Sequence, residues 1–255
     1  MEIKGKNIVI TGAASGIGRA MARRFHADGA AKLVIADISA DALQSVADEV
    51  GATAVPTDVS DEASVTQLIA TAEETCGQID LICSNAGIVV DGGVEQETAD
   101  WQRIWDINLM AHVWAARAAL PAMLARGEGY LLNTASAAGL LSQIGSAPYA
   151  VTKHAAVALA EWLSITHGDQ GIKVSVLCPQ AVNTAMASGR EGGVASVDGV
   201  IEPEALCDYV VEALADERFL VLPHPQVLDY MRRKTNDYDR WLSGMRRLQA
   251  RYDAD

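Results

Sequence analysis

The sequence predicts a single-domain α/β protein with a doubly wound, mostly parallel sheet of seven strands, and three observations favour this class. Short continuous runs of Val, Ile and Leu recur along the chain, which is typical of strands buried on both faces of a parallel sheet. Helix-length stretches separate these runs, so strands and helices alternate. Half of the 255 residues are apolar, which is enough for a sizeable core and disfavours disorder.

The apolar runs give the candidate strands, and the stretches between them begin and end at recognisable residues. Ser39 is a candidate N-cap for a helix that closes at Gly51, and Ser60 opens a second helix that closes at Gly77. The candidate strands are residues 7–11, 32–37, 53–59, 80–87, 130–136, 173–179 and 219–223.

The composition disfavours several classes of function. The formal net charge is −13, and an acidic surface repels phosphate backbones, so we expect no nucleic-acid partner. The N-terminus lacks the apolar core of a signal peptide, and no apolar run reaches the roughly 18 residues of a membrane helix. The scattered cysteines form no CxxC pair, which argues against disulfides and a zinc site. The sequence therefore predicts a cytoplasmic protein with no metal and no membrane partner.

A glycine-rich turn, TGAASGIG at residues 11–18, stands between the first strand and a helix. The start of a helix carries unpaired N–H groups and partial positive charge, which suit a pyrophosphate. Gly12 can form the turn, Gly16 can let a ligand approach the backbone, and Gly18 can let the helix pack closely. Asp37 ends the second strand at about the 20-residue spacing of a ribose-binding acid. The alternatives are a tight turn in an unrelated α/β protein and an ordinary strand-end acid that caps the next helix.

Tyr149 and Lys153, in PYAVTK, lie four positions apart and share one face of a helix that starts near Pro148. A phenol has a pKa of about 10, and a nearby ammonium lowers that pKa because it favours the phenolate. Tyr149 could then exchange a proton with an alcohol or a ketone. Taken alone, such a pair is more often an ordinary pair on a helix surface.

Two other polar residues are candidates for the same site. Ser136 ends a predicted strand, at the edge where open α/β sheets bind ligands, although it and Thr134 could simply satisfy the end of the strand. Asn108 lies inside a long helical stretch, where it marks a kink or a water site, or else a polar contact between helices.

Six motifs in this order resemble the short-chain dehydrogenase/reductase family over about residues 3–223: TGAASGIG, NAG at 85–87, IWDINL at 104–109, NTAS at 133–136, YAVTK at 149–153 and CPQAVNTAM at 178–186. The resemblance implies a Rossmann fold and an NAD(P)-dependent oxidoreductase that interconverts a secondary alcohol and its ketone. It implies that Tyr149 transfers the proton. It also implies that Lys153 lowers the pKa of Tyr149 and forms a hydrogen bond with the nicotinamide ribose. It also implies that Ser136 orients the substrate oxygen and that Asn108 holds a relay water.

NAD is the expected cofactor, because Asp37 would accept hydrogen bonds from a ribose diol and repel a 2′-phosphate. Ser15 stands where NADP-dependent members of the family often carry a basic residue. Ser84 replaces the first Asn of the usual Asn-Asn-Ala-Gly, and Gln180 stands where glycine is usual. The resemblance assigns cofactor contacts to Gly12, Ser15, Gly16, Ile17, Gly18, Asp37, Asp58, Val59, Asn85, Ala86, Gly87, Tyr149, Lys153, Pro179, Val182 and Thr184.

The substrate pocket is expected between the stretch GLLSQIGSA and the loop after Thr184. These segments are mostly apolar, and AAGLLSQIGSAPY has no Arg or Lys to anchor a carboxylate or phosphate, so we expect a small apolar alcohol or ketone. The candidate pocket residues are Ala138, Gln143, Ile144, Gln180 and Met186.

Two other functions stay open. A non-catalytic NAD(H)-sensing module could use the same fold, since fold does not fix function. Such proteins commonly lose the tyrosine or the lysine, and both are present here. Epimerases and dehydratases also use a Tyr-x-x-x-Lys pair, but their chains are usually longer and their glycine spacing differs.

Residues 1–225 are expected to form the catalytic domain and residues 226–255 a helical extension of it. The resemblance implies a homotetramer in which long helices near 101–126 and 149–167 pair across a two-fold axis. Four tryptophans in these helices have core-like spacing, so we expect them to pack in the core rather than to stack on a substrate: Trp101, Trp105, Trp114 and Trp162.

The extension carries one apolar stripe of an amphipathic helix. We expect this stripe to pack on the loop after Thr184, called the substrate loop below, or on a partner subunit. The stripe consists of Tyr238, Trp241, Leu242, Met245, Leu248 and Tyr252. Its arginines are expected to face water or an acidic neighbour: Arg240, Arg246, Arg247 and Arg251.

Overall fold

Seven parallel strands in the order β3-β2-β1-β4-β5-β6-β7 form one sheet in the computed structural model, which describes residues 1–188 and 193–252. The order reverses direction between β1 and β4, and ligands bind at such a switch point, outside the carboxyl ends of the strands. The strands are β1 (Asn7–Thr11), β2 (Lys32–Asp37), β3 (Thr53–Pro56), β4 (Leu81–Ser84), β5 (Gly129–Thr134), β6 (Ile172–Leu177) and β7 (Leu220–Val221).

Helices cover both faces of the sheet. A π-helical turn, Asp106–Met110, joins two of them into one long irregular helix. The helices are α1 (Gly16–Ala27), α2 (Ala40–Val50), α3 (Glu62–Cys76), α4 (Thr98–Trp105), α5 (Ala111–Arg126), α6 (Ala147–His167), α7 (Pro203–Ala215), α8 (Gln226–Asn236) and α9 (Tyr238–Tyr252).

Two apolar layers hold the helices on the sheet. On one face, side chains of α3, α5 and α6 pack against β-strand residues such as Val9 and Leu131. On the other face, α1, α2 and α7 pack against residues such as Ile10 and Leu132. Successive residues of a strand point to opposite faces, which is why a strand buried on both faces is apolar throughout. The doubly wound sheet predicted from the apolar runs is confirmed.

All seven predicted strands are present, but several are shorter than their apolar runs. β3 ends at Pro56 and β4 at Ser84, and in both cases the residues that follow form loops at the sheet edge. The start of α3 also differs from the prediction, since its N-cap is Asp61, whose carboxylate accepts a hydrogen bond from the Ser64 N–H, rather than Ser60. Gly51 and Gly77 end their helices as expected, with φ of 64° and 79°.

The tryptophan prediction is wrong at one position. Trp114 is buried and Trp101 and Trp105 are half-buried, but Trp162 on α6 is 57% exposed. Ile165, one turn further along the same helix, is 83% exposed. Helical spacing alone could not distinguish a side chain that faces the core of its own chain from one on an outer face of the same helix.

The C-terminal segment is helical, as expected, and consists of α8 and α9. Asp253, Ala254 and Asp255 of the predicted extension lie outside the described residues, and the domain boundary at residue 225 stays a prediction. None of the helices in the described part of the chain is long and apolar enough to cross a membrane.

Candidate active site

A long cleft of about 1580 Å³ runs along the C-terminal edge of the sheet. The residue that follows each of several strands lines it, among them Gly12 after β1, Ile38 after β2 and Asn85 after β4. The cleft continues past Tyr149 to the C-terminal helix α9. Its volume exceeds the roughly 300–1,000 Å³ of a typical small-ligand pocket, so it has room for a dinucleotide and a second molecule.

The glycine-rich turn leaves the start of α1 open to the cleft. Ser15 is the N-cap residue, but its side chain makes no capping hydrogen bond, and the first turn of α1 has no acidic residue. The first N–H groups of the helix therefore lack a side-chain partner, which is the donor set that an anion uses. Gly12 and Gly16 have φ of +66° and +51°, a conformation that favours glycine.

Close packing requires glycine at two positions of this turn. A Cβ on Gly12 would lie 2.8 Å from Cα of Ala86, and a Cβ on Gly18 would lie 2.1 Å from the carbonyl oxygen of Gly12. Gly18 does not line the cleft, so its place is structural: it lets the first turn of α1 close on the loop below it.

A hydrogen-bond network around Asn85 joins this turn to two strands. The Asn85 amide nitrogen donates to the Thr11 carbonyl at 3.1 Å, and its amide oxygen accepts from the Thr134 hydroxyl at 3.1 Å. The Thr11 hydroxyl oxygen accepts from the N–H groups of Asn85 and Ala86. Thr11 and Thr134 thus fix the loop that follows β4, a role that the sequence pattern did not assign to Thr11.

Asp37 is held at the edge of the cleft by two backbone N–H groups. Its carboxylate accepts from Ala14 at 3.1 Å and from Ser39 at 3.0 Å, one bond on each oxygen. A carboxylate can accept about four hydrogen bonds, so capacity for a diol remains. The next residue, Ile38, is 73% exposed and also lines the cleft. Asp58 lines the same end and accepts from the Ser60 N–H and hydroxyl.

Tyr149 and Lys153 sit on the first turns of α6, where Pro148 stands near the helix start as predicted. The Lys153 Nζ lies 5.7 Å from the centroid of the Tyr149 ring. It also donates to the Thr134 carbonyl at 3.0 Å. Lys153 is 3% exposed, and this burial lowers the pKa of its ammonium to about 8.

Ser136 lies just beyond β5 and faces the cleft. Its hydroxyl oxygen accepts from the Ala138 N–H at 3.1 Å, and the hydroxyl donates to the Pro179 carbonyl over a long 3.4 Å. Gln180, next to Pro179, donates from its backbone N–H to Nδ1 of the buried His224. Its side-chain Oε1 is buried without a hydrogen-bond partner among the residues described, which leaves an acceptor beside the cleft.

Asn108 lies in the π-helical turn, so the irregularity expected at this position is present. Its side chain is fully buried and forms two hydrogen bonds with the backbone of Ile88. The amide oxygen accepts from the Ile88 N–H and the amide nitrogen donates to the Ile88 carbonyl, both at 2.9 Å. It also donates to the Thr152 hydroxyl. A Cβ on Gly87 would be 3.2 Å from the Asn108 amide oxygen and 3.4 Å from Lys153 Nζ, so these groups lie close together. Asn108 does not itself line the cleft.

Behind Lys153 lies a polar pair that the sequence pattern did not reveal, His112 on α5 and Asn133 on β5. The His112 Nδ1 lies 3.0 Å from the Asn133 amide oxygen, and both side chains are buried. The pKa of His112 falls to about 3, mainly because of burial and also because of the charge on Lys153. His112 Nε2 and Asn133 Nδ2 have no partner within the described structure.

The C-terminal helices close the substrate end of the cleft. The Tyr230 hydroxyl donates to Asp198 at 2.9 Å, and Lys234 Nζ donates to the Leu140 carbonyl at 2.7 Å. α8 is therefore fastened both to the substrate loop and to the segment before α6. From α9, the apolar residues Trp241, Met245, Leu248 and Tyr252 line the cleft, whereas Tyr238 and Leu242 of the predicted stripe are exposed.

The tail arginines are all exposed, as expected. Arg240, Arg247 and Arg251 line the cleft, whereas Arg246 does not. The remaining predicted site residues are brought together as expected, apart from Gly18 and Asn108. Those that line the cleft are Gly12, Ser15, Gly16, Ile17, Asp37, Asp58, Val59, Asn85, Ala86, Gly87, Ser136, Ala138, Gln143, Ile144, Tyr149, Lys153, Pro179, Gln180, Val182, Thr184 and Met186.

Comparisons with known proteins agree with this architecture. A family model described as short chain dehydrogenase matches residues 6–193. A 1-deoxy-11-beta-hydroxypentalenate dehydrogenase of Streptomyces exfoliatus is 36% identical over 95% of this chain and 92% of its own. A meso-2,3-butanediol dehydrogenase of Serratia marcescens is 38% identical over 74% of this chain and 76% of its own.

Among solved structures, a short chain dehydrogenase/reductase of Burkholderia phymatum in complex with NAD superposes with a TM-score of 0.86. It is 32% identical, and the match covers 94% of this chain and 96% of that one. Fold and cleft together define an oxidoreductase of the Rossmann class. The chain belongs to the short-chain dehydrogenase/reductase family.

Proposed function

We propose that the protein is an NAD-dependent dehydrogenase that interconverts a secondary alcohol and its ketone. The observation that carries the proposal is the placement of Tyr149, Lys153 and Ser136 in one cleft that extends without interruption to Asp37. One end of this cleft offers groups that exchange a proton and orient an oxygen. The other end offers an acid suited to a ribose diol.

The residues present fit a nicotinamide dinucleotide. The uncapped start of α1 suits the pyrophosphate, and Asp37, whose two oxygens are already aligned by Ala14 and Ser39, suits the adenosine ribose. A carboxylate here would repel a 2′-phosphate, which is why we choose NAD over NADP. When bound, the cofactor supplies the hydride acceptor or donor.

Tyr149 would accept the proton of the alcohol or donate one to the ketone. The buried Lys153 ammonium favours the phenolate form of Tyr149, because an opposite charge nearby stabilises the ionised state. The Thr134 carbonyl holds this ammonium in place, and Thr134 is itself fixed by Asn85. The Ser136 hydroxyl would orient the substrate oxygen, for which its long bond to Pro179 can be exchanged. Asn108 would support Lys153 by fixing the backbone of Ile88 beside Gly87.

Two relatives support the reaction class. Their names describe dehydrogenases of 1-deoxy-11-beta-hydroxypentalenate and of meso-2,3-butanediol, and a solved structure in the family holds NAD. The mostly apolar walls around Ala138, Ile144 and Met186 favour a substrate with an apolar body.

Removal of the Tyr149 hydroxyl tests the proposal. A panel of secondary alcohols is incubated with NAD, and NADH is followed by its absorbance. Tyr149→Phe removes only the hydroxyl, so kcat for the best alcohol is expected to fall by about 10²–10⁴ while the Kd for NADH stays nearly constant. Tyr209→Phe, on an exposed face of α7 outside the cleft, is the matched control.

The outcomes separate the three functions. Net NADH formation that depends on Tyr149 supports a dehydrogenase. NAD(H) binding without turnover of any alcohol or ketone would indicate a sensing module. Conversion of a substrate without net NADH would indicate an epimerase or dehydratase. A kcat for Tyr149→Phe close to that of Tyr209→Phe would assign the proton transfer to another group.

A further inference from the structure

Four arginines from the C-terminal helices line the substrate end of the cleft, although the chain as a whole carries a net charge of −13. Arg233 lies on α8, and Arg240, Arg247 and Arg251 lie on α9. The stretch between Ser136 and Tyr149 contains no basic residue, so these arginines supply positive charge that this wall of the cleft lacks.

Helical spacing puts these arginines beside an apolar stripe. Arg240, Arg247 and Arg251 are separated by seven and four positions, so they fall on one side of α9. Trp241, Met245, Leu248 and Tyr252 form the adjacent stripe, which lines the same cleft. α9 therefore presents an apolar strip with a basic border to whatever occupies this end.

Within residues 1–188 and 193–252, none of the four guanidinium groups forms an ion pair. Arg233 lies 5.6 Å from the centroid of the Tyr230 ring, and Arg247 donates to the Ser243 hydroxyl. Among α8, α9 and their connection, Asp237 is the acid that lines the cleft, and its carboxylate accepts from the Arg240 backbone N–H.

The tail that carries them is fixed over the cleft. The Tyr230 hydroxyl donates a hydrogen bond to Asp198 of the substrate loop, and Lys234 Nζ donates one to the Leu140 carbonyl. Helix α8 thereby contacts both sides of the pocket. These contacts place the arginines of α8 and α9 at the border of the pocket. Guanidinium groups bind carboxylates in a planar, two-bond geometry, which adds orientation as well as affinity.

We propose that these arginines bind a carboxylate on the substrate, so that the enzyme takes an amphiphilic hydroxy or keto acid with an apolar body. This inference rests on the proposed dehydrogenase function and specifies its substrate class. The body would lie between the apolar stripe of α9 and the wall formed by Leu141 and Ile144, with its reacting carbon at Tyr149. The cofactor's pyrophosphate does not account for the arginines, because its site at the start of α1 follows β1 on another part of the cleft.

Binding is tested on the NAD-saturated enzyme by calorimetry with octanoate, its neutral analogue octanamide, and octyl phosphate. Octanoate is expected to bind about tenfold more tightly than octanamide. In the double variant Arg240→Gln/Arg251→Gln that preference should fall towards unity. Arg246→Gln, on the same helix but outside the cleft, is the matched control and should keep the wild-type preference.

Equal affinity for octanoate and octanamide, or an unchanged preference in the double variant, would overturn the inference, as would failure of octanoate to bind. Tighter binding of octyl phosphate than of octanoate would overturn the choice of a carboxylate. Circular dichroism shows whether the double variant is folded. The single variant Arg247→Gln is a milder change that should also lower the preference for octanoate over octanamide.

Turnover separates this inference from the proposed function. Wild-type enzyme is assayed with NAD and either 7-hydroxyoctanoate or its methyl ester. A higher kcat/KM for the acid, carried mainly by KM, supports both proposals. Turnover of the ester with no advantage for the acid keeps the dehydrogenase and overturns the carboxylate site. A preference for octanoate in calorimetry without NADH formation from either compound keeps the anion site and contradicts the proposed function.

Discussion

The Nζ of Lys153 on α6 donates to the backbone carbonyl of Thr134 at the end of β5, over a distance of 3.0 Å. This bond holds a buried ammonium behind Tyr149 and joins the helix of the Tyr-x-x-x-Lys pair to the sheet. Burial lowers the pKa of Lys153 to about 8, so the folded state releases this proton more easily than the unfolded chain does.

Removal of this buried amine should change how stability depends on pH. Between about pH 7 and pH 9 the unfolded lysine keeps its proton while the folded one loses it, so this group makes the wild type more stable as pH rises. We expect Lys153→Met to lack this gain, which amounts to about 1 kcal/mol over that interval. Urea unfolding of both proteins at the two pH values measures it. An identical pH dependence in wild type and variant would contradict the burial of a charged lysine.

The charge at the end of β2 should decide the cofactor. Wild-type kcat/KM is expected to favour NAD over NADP by about 10²-fold, because close like charges cost several kcal/mol. Asp37→Ser combined with Ile38→Arg removes the repulsion and puts a cation at an exposed position of the cleft, so the preference should shift towards NADP. Asp41→Ser, exposed on α2 and outside the cleft, is the control. Equal use of both cofactors by the wild type would refute the role assigned to Asp37.

The buried His112 should make the protein sensitive to acid. Its pKa is about 3 in the fold, so from about pH 7 to pH 5 the unfolded chain gains a proton that the folded state excludes, and stability falls. His112→Gln removes this group and should lessen the loss by about 2 kcal/mol.

Chemical denaturation at the two pH values tests this prediction. His26→Gln, on an exposed position of α1, should retain the wild-type loss. If His112→Gln lost as much stability as His26→Gln on acidification, the imidazole would not be held neutral in the fold.

Association through α6 is expected from its outer face. Trp162 and Ile165 are 57% and 83% exposed, and adjacent exposed apolar side chains mark interaction surfaces. Such a face can pair with its own copy across a two-fold axis. We expect sedimentation to detect a homo-oligomer, most simply a tetramer, and Ile165→Glu to reduce its size. Val94→Glu, at an exposed loop position, should leave assembly intact, and a wild-type monomer at micromolar concentration would contradict the prediction.

Much of the fold was encoded in local sequence. Runs such as NIVI, which became β1, predict a buried strand because both faces of a parallel sheet are covered. Gly51 and Gly77 end their helices because their positive φ favours glycine. Asp61 took the cap that was expected at Ser60, since neighbouring capping residues compete and only the final backbone geometry selects one.

The catalytic end of the cleft was also readable from sequence, because Tyr149 and Lys153 occupy one helix and Ser136 ends a strand. The pairing of His112 with Asn133 was not readable. Those two residues belong to a helix and a strand whose facing sides are set only when the helix packs on the sheet. The same limit applied to Trp162, which lies on a helix with both an inner and an outer face.

By itself, the sequence determined the order of strands and helices, the family, and the residues of the glycine-rich turn and the Tyr-Lys pair, because each depends on residues close together in the chain. Only the tertiary structure decided where the tail lies. Lys234 reaches the Leu140 carbonyl across 94 positions of sequence, and this contact brings Arg240 and Arg251 to a pocket whose wall between Ser136 and Tyr149 has no basic residue. A helical pattern fixes which residues share a face, but the partner of that face is chosen by packing between distant segments.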